Sequence, residues 1–175
     1  MTIEIRPATA ADAAAIAGLH QRSWRSAYRG LLPDSYLDGP AAGELAARWG
    51  RTFSKDEPRR VILVAMAPDG IAGFVAAWPS TTRLALIDNL HVAPGQRGGG
   101  IGRRLMGRAA AELRGLGFEA AFLEVIEGNH GARGFYRRLG GMKGELFLEP
   151  IGGHPTPVFP VTWDDLAVLE AACGP

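Results

Sequence analysis

Seven consecutive residues, Gln96-Arg97-Gly98-Gly99-Gly100-Ile101-Gly102, limit what this chain can fold into more than any other stretch. They follow an apolar, β-rich run from Arg83 to Val92. They open a segment from Gly100 to about Leu116 in which Leu105, Met106, Ala109 and Leu113 recur on one helical face. A strand that feeds through a glycine turn into a helix gathers the unpaired N–H groups of the first helical turn at one point. The glycines take away Cβ atoms that would hold a ligand off the backbone. A pyrophosphate at that point gains main-chain hydrogen bonds and the positive end of the helix dipole.

Spacing narrows the kind of phosphate ligand. A dinucleotide-binding GxGxxG frame fails, because Gly100 and Gly102 are followed at the required distance by Leu105. The lysine-bearing GxxxxGK[ST] loop fails because nothing supplies its lysine. What remains is an arginine with glycines three and five positions later: Arg97, Gly100 and Gly102. Taken alone, this pattern also fits a flexible surface loop.

Around the turn the chain alternates strands and helices. Ile3 and Ile5 mark a first strand ending near Pro7, and Thr9 is placed to cap a helix carrying Ile16, Leu19 and Trp24. Gly30 and Pro33 interrupt it, and a second helix is expected from about Ala41 to Phe53. Arg60 to Ala67, the turn Pro68-Asp69-Gly70, and Ile71 to Trp78 predict a hairpin that continues antiparallel into Arg83 to Val92. Beyond the glycine helix, Ala120 to Ile126 is a buried strand and Asn129 to Leu139 a short helix. Lys143 to Leu148 and Val158 to Trp163 are the last two strands. The order βααβββαβαββ is a mixed α/β domain. With 175 residues and no repeat, linker or composition break, residues 1–175 are expected to form a single domain.

Composition excludes several classes of partner. With 19 basic and 18 acidic residues the net charge is +1, so no global field draws the chain to nucleic acid or to an anionic membrane. The one cysteine, Cys173, allows no disulfide framework or CxxC pair, and no cluster of His and carboxylates is spaced as metal ligands. The amino end lacks a basic n-region and a long apolar h-region, and no apolar run approaches the ~18 residues of a spanning helix. A soluble, cytoplasmic protein without metal is the expectation.

The string from Leu90 to Gly102, with Leu105 after it, resembles the central motif of the GNAT N-acetyltransferase superfamily. A second element downstream, Leu123-Glu124-Val125 followed by Asn129, Ala132, Phe135-Tyr136, Leu139 and Gly140, resembles the strand and helix that flank the other side of that family's coenzyme. His20, Ser23-Trp24, Ala27-Tyr28 and Arg29 to Pro33 resemble the first helix and loop of a bacterial subgroup. The similarity fades after about Leu148.

The resemblance implies a central, mostly antiparallel sheet with one splayed parallel strand pair, flanked by helices. Acetyl-coenzyme A would lie with its pyrophosphate on Arg97, Gly98, Gly99, Gly100, Ile101 and Gly102, and its arm along Leu90, His91 and Val92 and against Asn129, Phe135 and Tyr136. Backbone N–H groups near Leu90 to Val92 would polarise the thioester carbonyl. Tyr136 matches the family tyrosine that protonates the departing thiolate, and a phenol can do so at hydrogen-bond range. Asp88, expected on the strand face of Leu90 and Val92, is the candidate base, with Glu124 and His91 as alternatives beside solvent. Asp88 as a structural acceptor stays open too. Trp24 and Tyr28, four apart on one helix face, and Glu124 are candidates for the acceptor site. His20, one turn earlier on that stripe, is expected at the surface or internally satisfied. Two functions compete: direct acetyl transfer to a small-molecule or peptide amine, and a non-catalytic acyl-coenzyme A sensor. Homodimers are common in the family, although no feature of the sequence specifies one.

Overall fold

In a computed structural model, which describes residues 3–174, the chain forms one eight-stranded sheet with helices on both faces. The elements are β1 (Glu4–Pro7), α1 (Ala13–Ala27), α2 (Asp34–Leu37), α3 (Pro40–Ser54), β2 (Val61–Ala67), β3 (Gly70–Pro79) and β4 (Leu84–Val92). They continue as α4 (Ile101–Gly115), β5 (Ala120–Ile126), α5 (His130–Arg138), β6 (Met142–Lys143), β7 (Phe147–Ile151), β8 (His154–Trp163) and α6 (Leu166–Cys173). Strand order is β1-β2-β3-β4-β5-β8-β6, with β7 also paired to β8.

Every pairing is antiparallel except β4 with β5. That parallel pair is short. It holds at Leu84 with Ala120, Ala85 with Ala121 and Leu86 with Phe122, and beyond these positions the two strands part. The right-handed crossover expected of a parallel unit is supplied by α4, whose face of Leu105, Met106, Ala109 and Leu113 is fully buried against the sheet. The opposite face of the sheet is covered by α1 and α3, through Ile16, Leu19 and Trp49 against Val64 and Phe74. Thr9 enters the first helical turn as expected, with its N–H donating to Asp12 at 2.8 Å, and Arg6 grips the same carboxylate through two bonds of 2.8 and 2.9 Å.

The carboxyl-terminal region departs from the sequence reading. The single strand expected over Lys143 to Leu148 is two, β6 and β7, separated where Gly144 lies against the Pro160 ring. The last strand begins at His154 rather than Val158. Pro155 and Pro157 disguise its start, yet they are tolerated because that end of β8 has a strand partner, β7, on one side only. α6 was not expected at all. It spans two turns, is capped by Asp165, whose Oδ1 accepts from the Ala167 N–H at 2.8 Å, and is held by α4 rather than by its own periodicity. Cys173 belongs to that contact: it is buried beside Gly107, and burial pushes its thiol up to about 11.

Candidate functional site

The glycine turn is built as an anion cradle. Gly98 and Gly100 take φ of +85° and +80°, a left-handed conformation that L side chains resist. Two such residues fold the chain so that the N–H groups of residues 98–103 donate to no backbone carbonyl; the first closing bond is from Arg104 to the Gly100 carbonyl, 3.0 Å. No side chain caps this helix start. Gly102 faces the Phe135 ring, so α5 is packed directly beside the cradle. Arg97 itself turns toward α1, donating to Ser26 Oγ and Ser23 Oγ at 3.2 Å and to the Val92 carbonyl at 3.3 Å.

Beside the cradle, β4 and β5 have separated, which leaves Leu90, His91 and Val92 without a partner on the β5 side. α5 lies at the far side of this opening. Asn129 caps it, its Oδ1 accepting from the Ala132 N–H at 3.2 Å. Tyr136 is buried, edge-on to Trp163 with ring centroids 6.0 Å apart. Burial, with the neighbouring Tyr28, raises the Tyr136 phenol well above its ordinary range, and burial likewise pushes Tyr28 up to about 12. Both phenols are therefore proton donors throughout the neutral range.

Asp88 is not where alternation placed it. The β3–β4 register slips so that Ala76 faces Asn89 while Ala77 faces Ile87, and Asp88 is the extra residue of a bulge. One inserted residue reverses the faces beyond it. Leu90 remains on the α4 side, whereas Asp88 turns to the α1–α3 side with His91. There Asp88 Oδ2 accepts from Trp78 Nε1 at 3.0 Å and Asn89 Nδ2 at 2.7 Å, and it is ion-paired to Arg48 of α3.

His91 also differs from expectation, while His20 takes the internal of its two expected places. The His91 ring is packed 4.3 Å from that of His20 and 5.3 Å from Phe74, with Nδ1 2.9 Å from Ser23 Oγ. Burial, aided by Arg97 and Arg48, drives its pKa down to about 3, so the side chain is neutral and only its backbone borders the opening. His20 is fully buried rather than at the surface. Its Nδ1 accepts from Trp49 Nε1 at 3.1 Å while Nε2 has no partner, and burial holds it neutral. The helical stripe of His20 and Trp24 predicted a shared face, but not that β3 would cover the first of them.

Glu124 faces the α1–α3 side too, two residues beyond the last parallel pair, as Asp88 is on β4. A hydrogen bond to Glu149, then partial burial and the charges of Glu149 and Asp88, raise Glu124 to about 7. Glu149 lies on β7, which the sequence reading ended one residue earlier; no sequence signal singled it out. Trp24, Tyr28 and Tyr36 cluster together, with ring centroids 5.5 Å apart for Trp24 and Tyr28 and 6.5 Å for Trp24 and Tyr36. Trp24 and Tyr36 line an open cavity of ≈ 530 Å³ with Glu44, Arg48 and Arg51, and Tyr36 donates to Glu44 at 2.7 Å. Among the described residues no group of His, Cys, Asp and Glu is arranged to hold a metal ion, and no helix is long and apolar enough to cross a membrane.

Comparison with known proteins reaches the same geometry. The streptothricin acetyltransferase of Streptomyces lavendulae is 36% identical over 111 residues, covering 63% of this chain and 54% of that protein, so the chain spans about half the length of this relative. The crystal structure of nourseothricin acetyltransferase is 32% identical over 60% of this chain and 65% of its own, with a TM-score of 0.54. The PaiA N-acetyltransferase of Thermoplasma acidophilum, solved with coenzyme A, shares the fold over 93% of this chain and 100% of its own at a TM-score of 0.71 and 21% identity. Residues 19–141, well over half of the chain, match the sequence model of the acetyltransferase (GNAT) family, and the chain belongs to that family.

Proposed function

We propose that this protein transfers the acetyl group of acetyl-coenzyme A to a primary amine of a small-molecule acceptor, by direct attack in a ternary complex. The observation that carries this reading is the opening of β4 from β5 immediately beside six unpaired N–H groups. That arrangement suits a ligand with a pyrophosphate at one end and an amide-bearing arm that lies along a strand edge. Main-chain groups of Leu90 to Val92 would then hold the arm and polarise the thioester carbonyl, and Asn129 and Phe135 would border it. The amine attacks the carbonyl carbon, the C–S bond breaks, and the Tyr136 phenol delivers its proton to the sulfur.

The buried, protonated phenol favours catalysis over a silent acyl-coenzyme A sensor, which has no thiolate to protonate. Likeness to streptothricin acetyltransferase supports a small-molecule acceptor, and the aromatic wall of Trp24 and Tyr28 with Glu124 below it would receive that molecule. Two measurements test the reading. Titration calorimetry with acetyl-coenzyme A, ATP and NAD should give heat for the first alone, and thiol release should rise when streptothricin is added with acetyl-coenzyme A. A protein that binds ATP or NAD and ignores acetyl-coenzyme A overturns it.

A further inference from the structure

Arg97, the arginine at the start of the glycine turn, commits its side chain to α1 and to the end of β4. Its Nε donates to the Val92 carbonyl at 3.3 Å, Nη1 to Ser26 Oγ at 3.2 Å and Nη2 to Ser23 Oγ at 3.2 Å, so all three nitrogens are engaged within the protein. Ser23 is buried, and the same hydroxyl lies 2.9 Å from His91 Nδ1. A guanidinium can only donate, so Ser23 Oγ accepts from Arg97 and has its own proton to give to His91. The His91 ring is fixed in turn by packing on those of His20 and Phe74. One serine of α1 is thereby bonded both to the glycine turn and to the strand edge beside the opening.

We propose that the Arg97 side chain is a positioning group rather than a phosphate ligand: with Ser23 it clasps α1 to the glycine turn and to β4, and so sets where the aromatic wall stands relative to the thioester. The part that concerns the acceptor rests on the acetyl-transfer reading. Trp24 directly follows Ser23, and Tyr28 lies two residues beyond Ser26, so the clasp holds the same turns of α1 that carry the wall.

Two features explain why an arginine stands here. Ser23 and Ser26 are three apart and share one face of α1, so the diverging donors of a guanidinium can bond both while Nε reaches back to β4; the single ammonium of a lysine cannot span all three acceptors. The phosphates, for their part, need no side-chain cation from this residue. The free N–H groups of residues 98–103 and the helix start behind them can hold a pyrophosphate through the main chain.

The test combines amide hydrogen exchange of the whole protein, read on residues 20–28 of α1, with acetyl-coenzyme A calorimetry in Arg97→Met, Ser23→Ala and the double variant. Losing a hydrogen bond to a charged group shifts a local equilibrium about tenfold, so each single variant should speed exchange in this stretch by about that factor. The double variant should exceed the faster single one by less than about twofold, because both substitutions remove the same bond. Acetyl-coenzyme A affinity should change by less than about fivefold in every variant. With streptothricin as acceptor, KM should rise by about fivefold at unchanged kcat, a split that a merely structural loss would not give. Unchanged exchange in α1 in either single variant overturns the proposal, as does an acetyl-coenzyme A affinity that falls by more than about fivefold in Arg97→Met, which would make the guanidinium a phosphate ligand. The exchange measurement needs neither coenzyme nor acceptor, so it judges the clasp separately from the acetyl-transfer reading, which the calorimetry and the streptothricin assay on the unsubstituted protein judge.

Discussion

Replacing Tyr136 by Phe removes one oxygen from the site and almost nothing from the fold. The ring keeps its edge contacts with Phe135 at 5.3 Å and Trp163 at 6.0 Å. Its hydroxyl is raised by burial and by Tyr28, with no hydrogen bond contributing. Stability should therefore change by no more than about 0.5 kcal/mol, as for a substitution that leaves no cavity and no orphaned partner. The rate should change much more. General acid catalysis contributes roughly 10²–10⁴-fold, and each tenfold step is about 1.36 kcal/mol. Burial makes this phenol a weaker acid than an ordinary tyrosine at ~10, whereas a thiol ionises near ~8.5. Proton delivery to the departing sulfur thus runs uphill, which places the loss at the low end, about 10²-fold or about 2.7 kcal/mol. The same burial keeps the phenol protonated, so activity in the unsubstituted protein should not decline as pH rises through 10. Thiol release with streptothricin, measured from pH 6 to 10 beside calorimetry with acetyl-coenzyme A, reads both effects. An unchanged kcat in Tyr136→Phe refutes the acid role, and a loss of acetyl-coenzyme A affinity as large as the loss of rate would make Tyr136 a packing residue.

Two glycines give further checks on the donor side. Gly100→Ala meets no atom within 4 Å but must hold φ near +80°, so it should cost about 1–2 kcal/mol and lower Tm by about 2–8 °C, with weaker acetyl-coenzyme A binding in calorimetry as the cradle shifts. An unaltered Tm and affinity would mean that the turn does not need its left-handed residue. Gly141→Ala would place a Cβ 2.5 Å from Val161 Cγ1, 2.8 Å from Trp163 and 3.0 Å from the Tyr136 carbonyl. Urea unfolding should report a loss of about 1–3 kcal/mol from this overpacking, and equal midpoints would contradict the close fit of α5 on β8.

The donor half of the site was legible because it is local. A strand, a glycine turn and a helix lie in order within residues 84–115, and hydrophobic period, glycine position and the orphaned N–H groups of a helix start are all encoded at short range. Asn129 and Tyr136 sit on one short helix for the same reason. The acceptor half is not local. Gly152 seats on Tyr36 more than a hundred residues earlier in the chain, and Arg48 crosses from α3 to Asp88. Pattern alone has no access to these contacts. α6 was missed on similar grounds, since an eight-residue helix is specified by packing on α4 rather than by its own period.

The bulge at Asp88 shows how one residue redirects the chemistry. Ala85 and Ile87 pack on the α4 side, and without the inserted residue Leu90 and Val92 would share the opposite face with Asp88. The inserted residue returns them to the α4 side, and Asp88 and Glu124 each stand two positions past the end of the parallel pair, both on the α1–α3 face. Like charges so placed raise each other's free energy unless something offsets them. For Asp88 the offset is fixed: Arg48, Trp78 and Asn89 all donate to it. For Glu124 the neighbouring charges are those of Glu149 and Asp88, which with partial burial raise it to about 7. The bulge thereby gives two similar residues different surroundings, Asp88 held by three donors and Glu124 set among carboxylates.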